Sequence, residues 1–350
     1  MTSKGKDHKS GQKNGKSAFK LNRRNFLKRS GQSIAGLMAA GLFSFNITSP
    51  KAEASDGELS EKLVILHTND MHGRIEEDDG IMGMAYLKSI VDDFRENYEN
   101  VMLVDAGDTF HGRPIADNLD GRSVVDTMNV LGYDVMTAGN HDFNFGYERM
   151  LELNEKLEAE MVSANVEKDG DLLLPPYTNI EMAGKNIAVL GLATPATRFT
   201  THPDNIEGIE FPNILDTTRR YVEEIKTTYN PDLLMALGHV GYGANNPDDE
   251  DFTTTDYMIK NHVDGIDIFV DGHSHTRIAE GDWQDGTLVV QAYEYLKKLG
   301  VVEVDFSGDE PTYQAHLISA DDAFNNYDPD EEMAELLEEL REEAAAQMLL

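Results

Sequence analysis

Aspartate, histidine and asparagine recur at five short turns, each directly after an apolar run. The turns are His67 to Gly73 with Asp70 and His72, Gly107-Asp108, Gly139-Asn140-His141-Asp142, Gly238-His239, and Gly272-His273-Ser274-His275. Together they offer two aspartates, four histidines and one asparagine: Asp70, His72, Asp108, Asn140, His239, His273 and His275. The chain has no cysteine, so any cation must sit on nitrogen and oxygen donors. Seven such donors suffice for two cations, with Asp108 shared, because two carboxylate oxygens can bridge where one imidazole cannot. Two cations ~3.5–4 Å apart suit the hydrolysis of phosphate esters: one brings the pKa of a bound water towards ~7, and both neutralise phosphoryl oxygens. Mixed N and O ligation suits Zn, Mn, Fe or Co and does not choose among them.

Each motif taken singly reads equally well as an ordinary polar turn, and Asp70 as a cap on the following helix. The set reads differently, because polar groups converging at strand ends are costly without ligands. His262 and His316 are read as non-ligands. His141 follows Asn140, so its side chain points away from that ligand direction. It is read as a general acid or leaving-group stabiliser. Another metal ligand, or a histidine that supports the ligands, are the remaining readings.

The elements that must place these residues alternate along the chain. Strand character falls at 63–66, 101–104, 135–138, 161–164, 233–237 and 266–270, with a hairpin element at 186–191. Helical spacing falls at 82–98, 123–131, 147–157, 214–229 and 256–262. Three strand-like runs follow at 287–292, 299–306 and 312–319, separated by turn residues. An acidic helix covers 331–350. Alternation of this kind predicts an α/β fold with helices outside sheets. Open α/β sheets bind ligands beyond the carboxyl ends of their strands. Asp70, Asp108, Asn140, His239 and His273 all fall just past such ends, each pair two residues apart (Asp70 and His72, His273 and His275) being expected on one side of an extended turn.

Charge is split unevenly. The 350 residues carry 30 Lys+Arg and 64 Asp+Glu; residues 1–54 hold 11 and 2 of these, leaving 19 and 62 for the remainder. The basic part has the order of an export signal. A polar basic stretch Lys4–Lys20 leads to Asn22-Arg23-Arg24-Asn25-Phe26-Leu27-Lys28, then to an apolar run at 33–47 and the small residues Ala52-Glu53-Ala54. The run is too short for a comfortable membrane span of ~20 residues. A basic tail with an accidental arginine pair is the bland alternative; the order of the three parts predicts export with cleavage after Ala54. It resembles a twin-arginine signal, which implies a periplasmic, cell-surface or extracellular destination. Residues 55–61 read as a linker. The acidic remainder disfavours binding to nucleic-acid polymers. It fits either salt adaptation or ordinary acidic loops with an acidic terminal helix.

The motifs resemble the calcineurin-like metallophosphoesterases, and within them the 5′-nucleotidase family. Its pattern of Asp-x-His, Gly-Asp, Gly-Asn-His-Asp/Glu, Gly-His and Gly-His-x-His is met in order by the five turns. The longer matches are Ile65 to Gly73 and Gly107-Asp108-Thr109-Phe110-His111-Gly112. The resemblance covers about 60 to 320 and implies a four-layer α/β/β/α sandwich, with a catalytic domain at 62–322 and the acidic helix at 323–350. It implies one cation on Asp70, His72, Asp108 and His275, and another on Asp108, Asn140, His239 and His273, with Asn140 also facing substrate. His141 corresponds to the family's catalytic histidine, which pairs with an acidic residue three positions on.

That position is Asn144 here, so weaker or pH-shifted hydrolysis is expected. The family's C-terminal domain, which carries the nucleoside clamp, is not matched before Leu350, and the apolar stripe of the 331–350 helix is expected to need a partner such as that domain. The implied substrates are small phosphate esters, nucleotides first. Cyclic-nucleotide phosphodiesterase, UDP-sugar hydrolase, thiosulfohydrolase, or a weakly active metal-binding remnant are the alternatives.

Overall fold

In the computed structural model the described residues are 61–243 and 252–348; the leader expected at 1–54 lies outside them. Chain order begins with β1 (Lys62–Thr68), α1 (Gly83–Asn97), β2 (Val101–Asp105), a one-turn α2 (Pro114–Asp117), α3 (Arg122–Leu131), β3 (Val135–Thr137), a 3-10 turn at Asn140–Phe143, α4 (Tyr147–Asn154) and β4 (Glu160–Val162). Short β5 (Glu167–Lys168) and β6 (Asp171–Leu172) lead to β7 (Tyr177–Met182), β8 (Lys185–Ala193), α5 (Thr197–Thr200), β9 (Ile209–Glu210), α6 (Ile214–Thr228), β10 (Leu233–His239), α7 (Thr255–His262) and β11 (Ile268–Asp271). The chain closes with β12 (Asp282–Gln284), β13 (Thr287–Val290), β14 (Lys298–Asp305), β15 (Thr312–Ser319), α8 (Ala320–Asn326) and α9 (Glu331–Gln347).

Two six-stranded sheets carry the architecture, with orders β15-β14-β1-β2-β3-β4 and β12-β13-β11-β10-β8-β7. The strands β1 to β4 are mutually parallel, with β4 at one edge, as are β8, β10, β11 and β13, and antiparallel strands finish the other three edges. Because side chains alternate across a strand, β1 splits its apolar residues between two cores. Leu63 and Ile65 face Val189, Met235 and Val270 of the second sheet, while Val64 and Leu66 face the α1 and α3 side with Leu87, Val124 and Met128. The second sheet does likewise, sending Leu190 and Ala236 towards Tyr221, Ile225 and Met258 of α6 and α7. Three cores between four layers give the expected α/β/β/α sandwich.

Differences from expectation are local. The hairpin element is a full strand pair turning at Ala183-Gly184, both with left-handed backbone. A small third sheet of β6, β5 and β9, and the helix α8, show no periodic signal because each is so short. The stripe of α9 finds its partner within this chain. Met333, Leu337, Leu340 and Ala344 are buried and Leu336 partly so, in the core that α1, α2 and α3 share. Each large apolar side chain so covered contributes about 1.5–3 kcal/mol. Arg122–Glu343 and Arg341–Glu76 ion pairs, both at 2.6 Å, rim the contact. Among the described residues no helix is long and apolar enough to cross a membrane.

Candidate metal centre

All five motif turns leave the carboxyl ends of parallel strands β1, β2, β3, β10 and β11, and the two sheets deliver them to one place. The turns after β1 and β2 are zipped by backbone bonds: Asp70 N–H to Gly107 O, His72 N–H to Asp108 O and Gly73 N–H to Thr109 O, at 2.9, 2.9 and 3.0 Å. Gly107 (φ 87°) lets the β2 turn lie against the β3 turn, since a Cβ there would sit 2.5 Å from Gly139 N.

Three groups of side chains close enough to hold a cation result. They are Asp70, His72 and His275; Asp108, His239 and His273; and His72, Asp108 and His141. Asp108 is central. Its Oδ2 lies 3.7 Å from His72 Nε2 and 3.1 Å from His239 Nε2, so one oxygen faces both sides. Its Oδ1 accepts the His141 N–H at 2.7 Å. Asn140 is buried beside it with Oδ1 unpaired; His72 Nε2 and His239 Nε2 are likewise buried without hydrogen-bond partners. Buried polar atoms left unpaired cost about 1–3 kcal/mol each. Three of them among this nest of carboxylates and imidazoles fit a pair of divalent cations.

The backbone reaches this arrangement by a different route from the extended turn expected. Asp70, His72, Asp108, His273 and His275 all have left-handed φ, between 49 and 75°. For side chains of this size such backbone costs on the order of 1–3 kcal/mol per residue and persists only where surroundings enforce it. The enforcing residues are identifiable. Asp142 accepts N–H bonds from Asp108, Thr109, Phe110 and Gly139 at 2.8–3.0 Å. Asp105 accepts from Thr68 Oγ1 at 2.6 Å and Gly107 N at 2.9 Å. Asp271 accepts from the N–H groups of Val240, Gly241 and Gly272 at 2.9–3.1 Å. Asn69 donates to Asp70 Oδ2 at 2.7 Å, and the His273 N–H reaches the same carboxylate at 3.0 Å.

Ring orientation is fixed as well. His239 Nδ1 donates to Ala106 O at 2.8 Å, leaving Nε2 for a cation. His275 Nδ1 lies 2.6 Å from Glu294, which is itself held by Lys297. Such outer partners set the tautomer and basicity of a ligating histidine. Burial pushes His72 and His273 down to about 4, so both stand ready as neutral ligands. Burial opposes charge on His239 too, but the Asp108 carboxylate outweighs it and raises the ring to about 10. Burial alone would raise Asp108; His239 first, then His72 and His141, hold it far below the ordinary carboxylate range. Burial lifts Asp105 and Asp271 to about 7.

Six of the seven expected ligands thus lie close together, Asn140 is buried in the adjoining turn whose His141 N–H meets Asp108, and the His141 ring is 5.1 Å from that of His72. Asn144 Nδ2 is 2.8 Å from His141 Nδ1, so the position that departs from the family pattern still touches the histidine. The sequence reading missed Glu294, Asn69 and the bracing roles of Asp105, Asp142 and Asp271. Asn69 and Asp142 lie inside quoted motifs and could have been noticed. Nothing in the spacing marks Glu294, which is 19 residues beyond its partner.

The sequence model of the calcineurin-like phosphoesterases matches residues 63–277. The chain belongs to this family. Its ligand-bearing turns and both parallel sheet centres lie within the matched stretch. The chain is 32% identical to a 5′-nucleotidase of Vibrio cholerae over 289 residues, 74% of this chain and 51% of that one. It is 28% identical to Protein UshA of Escherichia coli, covering 79% of this chain and 54% of that protein. The crystal structure of a 5′-nucleotidase precursor from Thermus thermophilus superposes with a TM-score of 0.66 at 25% identity, over 82% of this chain and 60% of that one. The chain therefore spans about half the length of the curated relatives it matches.

Proposed function

We propose that this chain is a two-cation phosphoesterase acting on nucleotides or related phosphate esters, with Asp70, His72, Asp108 and His275 holding one cation and Asp108, Asn140, His239 and His273 the other. The observation that carries the reading is the position of Asp108 Oδ2 between His72 and His239. Cations bound there would supply charge neutralisation for phosphoryl oxygens and acidify water. The protein's own residues do the rest. The left-handed turns present ligands without rearrangement, and such preorganisation is the main source of electrostatic catalysis. His141 Nε2, the ring nitrogen not engaged by Asn144, is the proton donor or hydrogen-bond donor to the departing oxygen. The named activity of the Vibrio relative supports nucleotides as the first substrates to try.

The test is phosphate release from AMP and cyclic AMP, and cleavage of a chromogenic phosphodiester, after loading with manganese. Activity lost in Asp108→Ala and His141→Ala is the expected result; equal residual activity in both variants and the parent would sink the reading. The leader at 1–54 is proposed to direct export by the twin-arginine route, and intact mass of exported protein beginning at Ser55 is the outcome expected.

A further inference from the structure

One amide faces two imidazoles. Asn144 Nδ2 lies 2.8 Å from His141 Nδ1 and 3.0 Å from His111 Nδ1. The two rings are parallel within 5°, their centroids 6.0 Å apart, and Phe145 packs edge-on against His111 at 5.5 Å. On its far side His111 Nε2 is 3.8 Å from Asp117 Oδ1, whose place is set by the Gly112 N–H at 2.8 Å. Asn205 anchors the Asn144 backbone carbonyl at 2.7 Å.

This geometry couples the tautomers of the two rings. A single amide end meets both Nδ1 atoms. If it is the NH₂ end, both Nδ1 atoms accept and both rings carry their proton on Nε2. If it is the oxygen end, both Nδ1 atoms donate. Asp117 breaks the tie. Its carboxylate favours a proton on His111 Nε2 and disfavours a lone pair there. His111 Nδ1 then accepts, the amide turns its NH₂ end inward, and His141 Nδ1 must accept as well. The proton of His141 is left on Nε2, the atom that faces the nest.

We propose that His111 is a positioning residue: with Asp117 it sets the Asn144 amide, and through it the Nε2–H tautomer of His141. A histidine backed by an amide then stands in this chain where the family pattern has one backed by an acidic residue. The role of His141 in hydrolysis rests on the proposed function; its tautomer does not.

The experiment is nitrogen NMR of the full chain labelled with ¹⁵N-histidine, metal-free and zinc-loaded. The parent should show His141 with a pyridine-type Nδ1 and a pyrrole-type Nε2. His111→Phe keeps the ring packing and removes the nitrogens; His141 should then move to a mixture of tautomers, with kcat lowered roughly tenfold and KM and metal content unchanged. His111→Gln, which can still accept from the amide, should restore the parent pattern. Asn144→Asp should place the proton on Nδ1 whatever residue stands at 111. The proposal is overturned if the parent carries its His141 proton on Nδ1, or if Phe and Gln at 111 leave His141 alike. Should His111→Phe not fold, Asp117→Ala takes its place: without that carboxylate beside His111 Nε2 the His141 tautomers should mix, and an unchanged parent pattern there overturns the proposal. Parent shifts as expected in a chain inert towards every phosphate ester would sink the function and leave the positioning standing.

Discussion

The two halves of the metal centre use the same residue types and close them off differently. Asp108, Asn140 and His239 are buried, and the His239 ring leans on a backbone carbonyl, Ala106 O. In the other half the His275 side chain is 30% exposed and leans on a carboxylate, Glu294, itself tied to the exposed rim through Lys297. A carbonyl bond inside packed sheet ends cannot move without the sheets. A carboxylate on a surface turn can. The Asp108, Asn140 and His239 side would therefore be a rigid socket for a cation, and the His275 edge of the other half, beside buried Asp70, would be where a cation exchanges and a phosphate ester enters. Asp108, facing both, couples them.

The largest effect expected is at that coupling. Asp108→Ala should empty both halves and lower hydrolysis on the order of 10³-fold, since removing one partner of a buried charge cluster costs about 3–5 kcal/mol. Metal content by mass spectrometry of the dialysed protein checks it. One cation retained per chain would show that the halves stand apart. The next contrast separates them directly. His275→Ala should leave one tightly held cation per chain after dialysis, whereas His239→Ala should leave none held as tightly. Equal stoichiometry in the two variants would break the comparison between socket and open half.

That comparison was not visible in the residue pattern, although most of the centre was. Asp108, Asn140, His239 and His273 are legible because each follows a glycine at the end of a strand run, and Asp70 because it stands just past the β1 run; the carboxyl end of a parallel strand has one place to go. The four layers are legible for a similar reason. Strands such as β1 are apolar on both faces, which only a double-sided core explains. The left-handed φ of the ligand turns is not legible, because Asp and His rather than glycine occupy those positions. Their strain is compensated by Asp142 and Asp271, whose partners are backbone groups that carry no residue identity. Glu294 is hidden for a different reason: the β12–β13 hairpin lies between it and His275, so only the folded sheet brings them together. The burial of α9 also depends on the fold, because an amphipathic stripe states that a partner exists and not which one.

Glu294 gives the next prediction. Glu294→Gln should keep the contact with His275 but remove its charge, weakening the open-half cation by about 10- to 100-fold while the buried cation is unchanged. Competition with a chromogenic chelator reads both steps. A variant that weakens both steps equally would mean that the halves are not closed independently.

The smallest effect is the pH dependence of the socket. In the metal-free chain His239 is raised from 6.5 to about 10, so at pH 8 it still carries a proton that a cation must displace. Metal affinity of the buried half should then rise about tenfold per pH unit, or 1.4 kcal/mol, up to that value. His72 and His273, held near 4, have no proton to release over the same range. The sign for the metal-free fold is opposite. A raised histidine pKa lends stability fully below 6.5, and this is lost as the pH climbs through about 10. Rising pH should therefore weaken the empty chain in thermal denaturation while strengthening the loaded one. Calorimetry of cation binding in two buffers of different ionisation enthalpy should find one proton released at the buried site, and His239→Gln should abolish it. A proton count unchanged in that variant would move the raised pKa to another residue and leave the socket closed by packing alone.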